Sequence, residues 1–178
     1  KELEDVLEDV KRLLKESNDE VKEIDDRARR LLEESHRKSE EVDRRAEKRL
    51  REIEDKVRKS DKEEVKEELK KEIKKVRDEH EELSRRNTEE NKRVLDEHRK
   101  LVEELKKKND DVLRELRKRL RKEEMLREVE ERARKNKEDI EKSHDEIRKE
   151  VEDNIRRDRE SHKRIEEEAR RVMAEIEK

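Results

Sequence analysis

The sequence of 178 residues contains no glycine, proline, cysteine, phenylalanine, tyrosine or tryptophan. Glycine and proline form most tight turns, so their absence argues against β-rich folds. Without cysteine the chain can form neither a disulfide framework nor a thiolate metal site. It also lacks any long apolar run, and we therefore expect no transmembrane helix and no targeting signal. The chain should be a soluble protein built from α-helices.

Charged residues make up 65% of the chain, and 56 basic residues nearly balance 59 acidic ones. The two signs are mixed along the whole length, so there is no basic stripe of the kind that binds nucleic acid. High charge with few apolar residues is also typical of disordered chains, but here the net charge is only -3 and the apolar residues are regularly spaced. We expect a folded protein with no nucleic-acid, membrane or small-molecule partner.

Apolar residues recur at intervals of three and four along most of the chain, as in a coiled coil. Related runs extend from Val76 to Leu105 and from Leu126 to Ile176. A stripe this narrow predicts helices that pack side by side in a bundle. At the N-terminal end of the sequence, the stripe follows a heptad pattern through Leu3, Leu7, Val10, Leu14, Ser17, Val21, Ile24, Ala28 and Leu31.

Two breaks in the stripe predict the ends of helices. At the first break, basic residues are followed by Ser60 and then by acids, with Ser60 and Glu63 at the spacing of a capping box. At the second, the mostly basic segment 117–122 precedes Glu123 and Glu124. The prediction is an all-α, long antiparallel three-helix coiled-coil bundle that forms a single unit over 1–178, with helices at roughly residues 2–59, 61–119 and 123–177.

A four-helix up-down bundle is the alternative. Cap-like signals at Ser39, Asn87 and Asn136 would divide the chain into four helices. The stripe continues through all three places, which favours three helices.

Uncharged polar residues on the stripe predict buried hydrogen-bond networks, because a buried polar group is costly unless it is bonded. Such networks fix register and partner choice. Three antiparallel helices would group them in two layers, one around His80 and His162 and one around His98 and His144. The predicted network residues are Ser35, Ser39, His80, Asn87, Asn91, His98, Asn136, Ser143, His144, Asn154, Ser161 and His162. We expect Ser17, Ser60, Thr88 and Asn109 to act as helix caps instead.

No catalytic, cofactor or metal site is expected. The Glu33–His36 and Glu141–His144 spacings match di-iron bundle motifs, but Ser35 and Ile140 occupy the stripe there. The chain has no Gly-rich phosphate loop, nucleophile elbow or Cys–His pair. The sequence therefore predicts a protein that is not an enzyme, although buried histidines suggest acid-triggered opening near their reference pKa of about 6.5.

The Leu/Val/Ile stripe, its polar residues and charged surfaces such as 62–75 together resemble de novo designed helical bundles that are built parametrically with buried hydrogen-bond networks. The resemblance implies a designed structural scaffold or self-assembly module, made in the cytoplasm of an expression host. Its partner would be itself, within one chain or as a homo-oligomer. The alternatives are a natural structural or tethering coiled coil, which would seldom lack Gln, Phe, Tyr and Gly together, and a pH-responsive helical switch.

Overall fold

The computed structural model describes residues 2–120 and 123–178. They form α1 (Glu2–Lys59), α2 (Glu63–Arg119) and α3 (Glu123–Glu177), with no strand in the described ranges. The predicted all-α fold with three helices is confirmed. The four-helix alternative is wrong, because its proposed break points lie inside α1, α2 and α3. The last two residues of the basic segment 117–122 lie outside the described residues.

The helix ends carry charges that suit the helix dipole. The last turn of α1 contains Lys56, Arg58 and Lys59, and α2 begins with two glutamates. At the α1–α2 connection, the Ser60 hydroxyl accepts a long bond of 3.4 Å from the backbone N–H of Lys62. The serine therefore supports the three-residue connection and does not form the predicted capping box.

The chain divides into two compact units, each built from segments of all three helices. Unit 1 comprises Lys1–Leu31 and Arg93–Glu150, and unit 2 comprises Leu32–Lys92 and Val151–Lys178. In unit 1, Ser17 bonds to Asn109 whereas Asp25 bonds to His98. The later residue of α1 thus contacts the earlier residue of α2, so α2 runs antiparallel to α1. The predicted antiparallel arrangement is confirmed by these contacts.

Each unit has its own apolar core. The large cluster of unit 2 is centred on Leu50, Ile73 and Ile165. Unit 1 has one cluster around Val10, Leu113 and Val129 and a smaller one with Val102, Leu105 and Ile140. Polar layers therefore lie among apolar ones.

The buried stripe repeats with the period of the α-helix, not with a heptad. Between Ser17 and Ser35, and again between Ser35 and Ile53, successive positions of the stripe are four residues apart three times and three residues apart twice. Each set of five steps therefore makes five full turns of the helix. A heptad walk drifts by about 20° per heptad on such a helix. By Leu31 the predicted seam has left the buried face, so Leu31 is 37% exposed whereas Leu32 is 4% exposed. Leu83, which is a seam position of the predicted run from Val76 to Leu105, is also exposed.

Leu32→Ala should lower the free energy of unfolding by about 2 to 5 kcal/mol, because it removes buried methyl groups and leaves a cavity. The matched control is Leu31→Ala, which removes the same atoms from an exposed side chain and should change stability by about 0.5 kcal/mol or less. Chemical denaturation measures both. Equal losses would contradict the assignment of the stripe to the period of the α-helix.

Candidate functional site in the buried polar networks

A buried serine and two asparagines, one from each helix, form the first polar layer of unit 1. The amide nitrogen of Asn109 donates to the Ser17 hydroxyl oxygen at 2.7 Å and to the Asn136 carbonyl oxygen at 3.2 Å. The Asn136 amide nitrogen donates to Ser17 at 3.3 Å. Ser17 and Asn109 were predicted to be helix caps, and this is wrong. Both lie in mid-helix, where their side chains join neighbouring helices and do not bond to their own helix ends.

The second layer of unit 1 is built on a buried carboxylate. Asp25 Oδ1 lies 2.7 Å from His98 Nε2, and the Ser143 hydroxyl lies 2.6 Å from both oxygens of Asp25. On the other side of the His98 ring, Nδ1 lies 3.0 Å from Nδ1 of His144. The two imidazole planes are nearly parallel, at 14°. Asp25, His98 and His144 therefore form a relay across all three helices.

The hydrogen-bond pattern fixes the tautomers of this relay. An ionised carboxylate only accepts hydrogen bonds, so Nε2 of His98 must carry a proton. In the neutral ring Nδ1 is then an acceptor, and His144 must donate its own Nδ1–H. This leaves Nε2 of His144 with a lone pair.

Unit 2 contains an equivalent relay. His80 Nε2 lies 2.7 Å from Asp43 Oδ1, and the Nδ1 atoms of His80 and His162 are 2.9 Å apart. Their ring planes are inclined by only 7°. Ser84, one turn away on α2, lies at a long 3.5 Å from His80 Nδ1. By the same tautomer argument, Nε2 of His162 carries the lone pair.

A second set of polar residues in unit 2 forms one continuous chain of hydrogen bonds. Asn154 donates to Asn91 at 3.2 Å, and Asn91 donates to the Ser35 hydroxyl at 2.9 Å. Ser35 in turn donates to Asn87 at 2.6 Å. The chain ends at Asp158, which accepts from Asn87 and from Ser39, both at 2.7 Å.

Almost every buried polar atom of the described side chains has a partner. Arg117 Nε is the only buried side-chain nitrogen or oxygen among the described residues that lacks one. The networks therefore satisfy the groups that the helices bury.

The layers of the two units are related by a repeat of five helical turns, which we call the five-turn repeat. Positions five turns apart lie on the same face of their helix. Along α1 and α3 the repeat runs forward, so Ser17, Asp25, Asn136, Ser143 and His144 correspond in that order to Ser35, Asp43, Asn154, Ser161 and His162. Along the antiparallel α2 it runs backward, so His98 and Asn109 correspond to His80 and Asn91.

The structure brings most of the predicted network residues together. Ser161 is the exception, since it is half-buried and bonds to no other described side chain, although Ser143 at the equivalent position reaches Asp25. His36, which adjoins the network residue Ser35 in the sequence, pairs with Glu40 at 2.9 Å near the surface. The predicted residues with a networked side chain are Ser35, Ser39, His80, Asn87, Asn91, His98, Asn136, Ser143, His144, Asn154 and His162.

The sequence reasoning missed the carboxylates that anchor the networks. Asp25, Asp43 and Asp158 are buried, but the chain has 59 acidic residues and nothing in their immediate sequence distinguishes these three. The five-turn repeat contains a signal for Asp25 and Asp43, but not for Asp158, whose equivalent position is Ile140. A search for polar residues at that spacing pairs Asp25 with Asp43 at the same time as it pairs the histidines.

Burial shifts the pKa of two network groups in the directions that favour their neutral forms. The pKa of His144 is lowered by desolvation and by the neighbouring His98, with Lys106 and Arg99 adding to the effect and Asp145 opposing it. The pKa of Asp158 is raised by desolvation, although its bonds from Ser39 and Asn87 act the other way. The two shifts therefore have opposite effects on stability in acid.

The described residues offer no cluster of three or more histidine and acidic side chains arranged to hold a metal ion. None of the helices, over their described residues, is long and apolar enough to cross a membrane.

Comparison with known proteins gives no family assignment. No protein-family model matches the chain, and no curated protein matches it. The chain is similar to a solved structure described as a computationally designed three helix bundle. The identity is 17%, the match covers 98% of this chain and 86% of that chain, and the TM-score is 0.42. The three-helix fold rests on the helices and contacts described above.

Acidification should lower the free energy of unfolding through His144. Its folded pKa is below the unfolded value, so the unfolded chain binds more protons in acid. The stability held by neutral His144 is complete above about pH 6.5 and is lost as the pH falls below that value. His144→Gln keeps an amide that can donate to His98 but does not titrate. Denaturation between about pH 7.5 and about pH 5.5 should show a smaller loss in this variant.

His36→Gln is the control, because His36 pairs only with Glu40 near the surface. It should keep the acid sensitivity of the parent chain. If His144→Gln and the parent lose the same stability, the buried pair has no part in the acid response.

Proposed function

We propose that the protein is a designed structural scaffold or self-assembly module, and that its buried polar layers select one arrangement of its helices. No natural biochemical activity is part of this proposal. Design is supported by the regularity of the chain, in which the same polar layers recur after five helical turns and several common residue types are missing entirely. The observation that carries the proposal is a difference between the two units.

In one layer of the five-turn repeat the two units differ in polarity on all three helices. In unit 1 this layer is apolar and lies in the small core cluster. In unit 2 the equivalent positions are polar and are joined through a buried carboxylate. The residues are Val21, Leu105 and Ile140 in unit 1, and Ser39, Asn87 and Asp158 in unit 2. We call this the selector layer.

The other polar layers cannot choose between arrangements that differ by one repeat, because they offer the same donors and acceptors in both. The selector layer can. After a shift of α1 by one repeat, Ser39 would face the apolar Leu105 and Ile140, and Asp158 would lose its donor Ser39. After the same shift of α3, Asp158 would lose both of its donors. Leaving a buried charge without a partner costs about 3 to 5 kcal/mol.

The competing arrangements involve a second copy of the chain. Within one chain, the three-residue connection between α1 and α2 is too short for a shift of about 27 Å, the rise of five helical turns. Between chains no connection limits the shift, and the repeated stripe would pair equally well in either register. The selector layer therefore acts against wrong self-association.

The test is a variant with Ser39→Val, Asn87→Leu and Asp158→Ile, which gives unit 2 the selector layer of unit 1. Replacing a buried charged network with packed apolar side chains is often neutral or stabilising by about 1 to 4 kcal/mol, so the variant should stay helical and stable. With the selector layer alike in the two units, shifted pairing loses this penalty. We expect native mass spectrometry to show one mass for the parent and several for the variant.

Two further variants complete the experiment. Ile53→Val changes a buried apolar side chain outside the selector layer and should keep one mass. The opposite exchange, Val21→Ser with Leu105→Asn and Ile140→Asp, also makes the selector layer alike in the two units, so it should give several masses while lowering stability. A single mass for the stable Val–Leu–Ile variant would contradict the proposal.

A second candidate function, a pH-responsive helical switch, is supported by the two histidine pairs. One added proton can be carried by a pair without loss of its hydrogen bond, because the inner ring then donates to the outer ring. A second proton would place two N–H donors against each other at 2.9 to 3.0 Å. We expect thermal melting to occur at lower temperature at about pH 5 than at about pH 7.5. Identical melting curves would exclude the switch.

A further inference from the structure

Each Asp–His–His relay has the layout of a catalytic triad with a second imidazole in place of the hydroxyl. In a triad, a buried carboxylate orients an imidazole and stabilises the imidazolium that forms when that ring takes a proton. In unit 2, Asp43 does this for His80 at 2.7 Å, and His80 can take a proton from His162 across 2.9 Å. The difference is that the end of the relay is the imidazole nitrogen Nε2 of His162.

The outer ring of this relay is accessible, whereas the inner ring is not. His80 is 2% exposed, but His162 is half-buried. His162 lines an open groove with a volume of about 660 Å³, together with Lys70, Lys74, Arg77, Glu166 and Met173. A groove of this size is large enough for a small aromatic molecule. Its walls carry both signs of charge, which gives no strong preference for a charged ligand.

We propose that His162 is a nucleophile that accepts an acyl group from small, neutral, activated esters such as aryl acetates. His80 and Asp43 are positioning residues that remove the proton from the far side of the ring. This activity goes beyond the proposed structural function and does not depend on it. It follows from the direction of the relay, which keeps a lone pair on Nε2 and holds a proton acceptor against Nδ1.

The chemical steps balance without any further reactant. The Nε2 lone pair attacks the ester carbonyl, an N–C bond forms, and the aryloxide leaves with the electron pair of the broken C–O bond. The ring would become cationic, but its Nδ1 proton passes to Nδ1 of His80, whose imidazolium is stabilised by Asp43. Water then attacks the acyl carbonyl, the N–C bond breaks, and the carboxylic acid is released. The imidazole regains one proton from water, and His80 returns its extra proton to the solvent.

The relay distinguishes His162 from an ordinary surface histidine. His36 is the internal comparison, since its Nε2 bonds to Glu40 within the same helix and no second imidazole contacts its ring in the described contacts. A lone imidazole that attacks an ester must carry a positive charge until a solvent molecule takes its proton. The relay removes that requirement, because positioned proton transfer accelerates reactions by about a hundredfold or more.

The test measures hydrolysis of 4-nitrophenyl acetate by the full chain in a His144→Gln background, which leaves one relay. Adding His162→Gln should lower the second-order rate constant at least about tenfold, whereas adding His36→Gln should leave it unchanged. Circular dichroism confirms that each variant keeps its helices. Peptide mapping by mass spectrometry after a short reaction should place the acetyl group on His162.

Asp43→Asn tests the relay itself. The amide keeps the size of the side chain but removes the negative charge that favours an imidazolium, so the rate should fall and the inflection of the pH–rate profile should move to lower pH. A purely structural role of Asp43 would not move the inflection. Rates unaffected by His162→Gln, or acetyl groups found only on lysines, would overturn the proposal.

Discussion

The structure depends on one constraint, which is that polar groups in the interior need hydrogen-bond partners, and most of these partners lie on another helix. Only 25% of the residues are hydrophobic, so the stripe that three helices bury cannot be apolar throughout. Serine, asparagine, histidine and aspartate fill the remaining positions. A buried donor or acceptor without a partner costs about 1 to 3 kcal/mol. The helices therefore have to pack in the arrangement that satisfies these groups. The polar residues that reduce the apolar content of the core thus also make the arrangement specific.

The buried carboxylates determine what the networks can do. Asp25 and Asp43 each accept a hydrogen bond from a ring nitrogen of the inner histidine, His98 or His80. This bond sets the tautomer of the inner histidine and, through it, that of the outer histidine, His144 or His162. The same bonds underlie the predicted acid sensitivity and the proposed acyl transfer, because both depend on how many protons a histidine pair carries. Asp158 has a different role. It accepts only from neutral groups, and it is found in one unit, where it distinguishes that unit from the other.

Composition and spacing were sufficient to predict the fold. A chain without glycine and proline whose apolar residues recur every three or four positions has few alternatives to long helices, and the charge reversals near residues 60 and 120 separate three of them. The same reasoning placed Leu31 in the seam, since a heptad and the period of an α-helix are hard to distinguish over a few turns. The two periods diverge over longer stretches, and at this point of α1 the buried residue is Leu32 and not Leu31. Most histidines, serines and asparagines of the networks could be predicted because such residues are rare here. The aspartates could not be predicted from residue type, because acidic residues are the commonest feature of the surface.

The most direct test of this account is nitrogen-15 NMR of the histidine rings at neutral pH. We predict that His80 and His98 carry their proton on Nε2, that His144 and His162 carry theirs on Nδ1, and that a coupling across the hydrogen bond joins the two Nδ1 nuclei of each pair. Four rings with the same tautomer, exchanging freely with solvent and without such couplings, would contradict the existence of the relays and with it the account of how the helices are held in one arrangement.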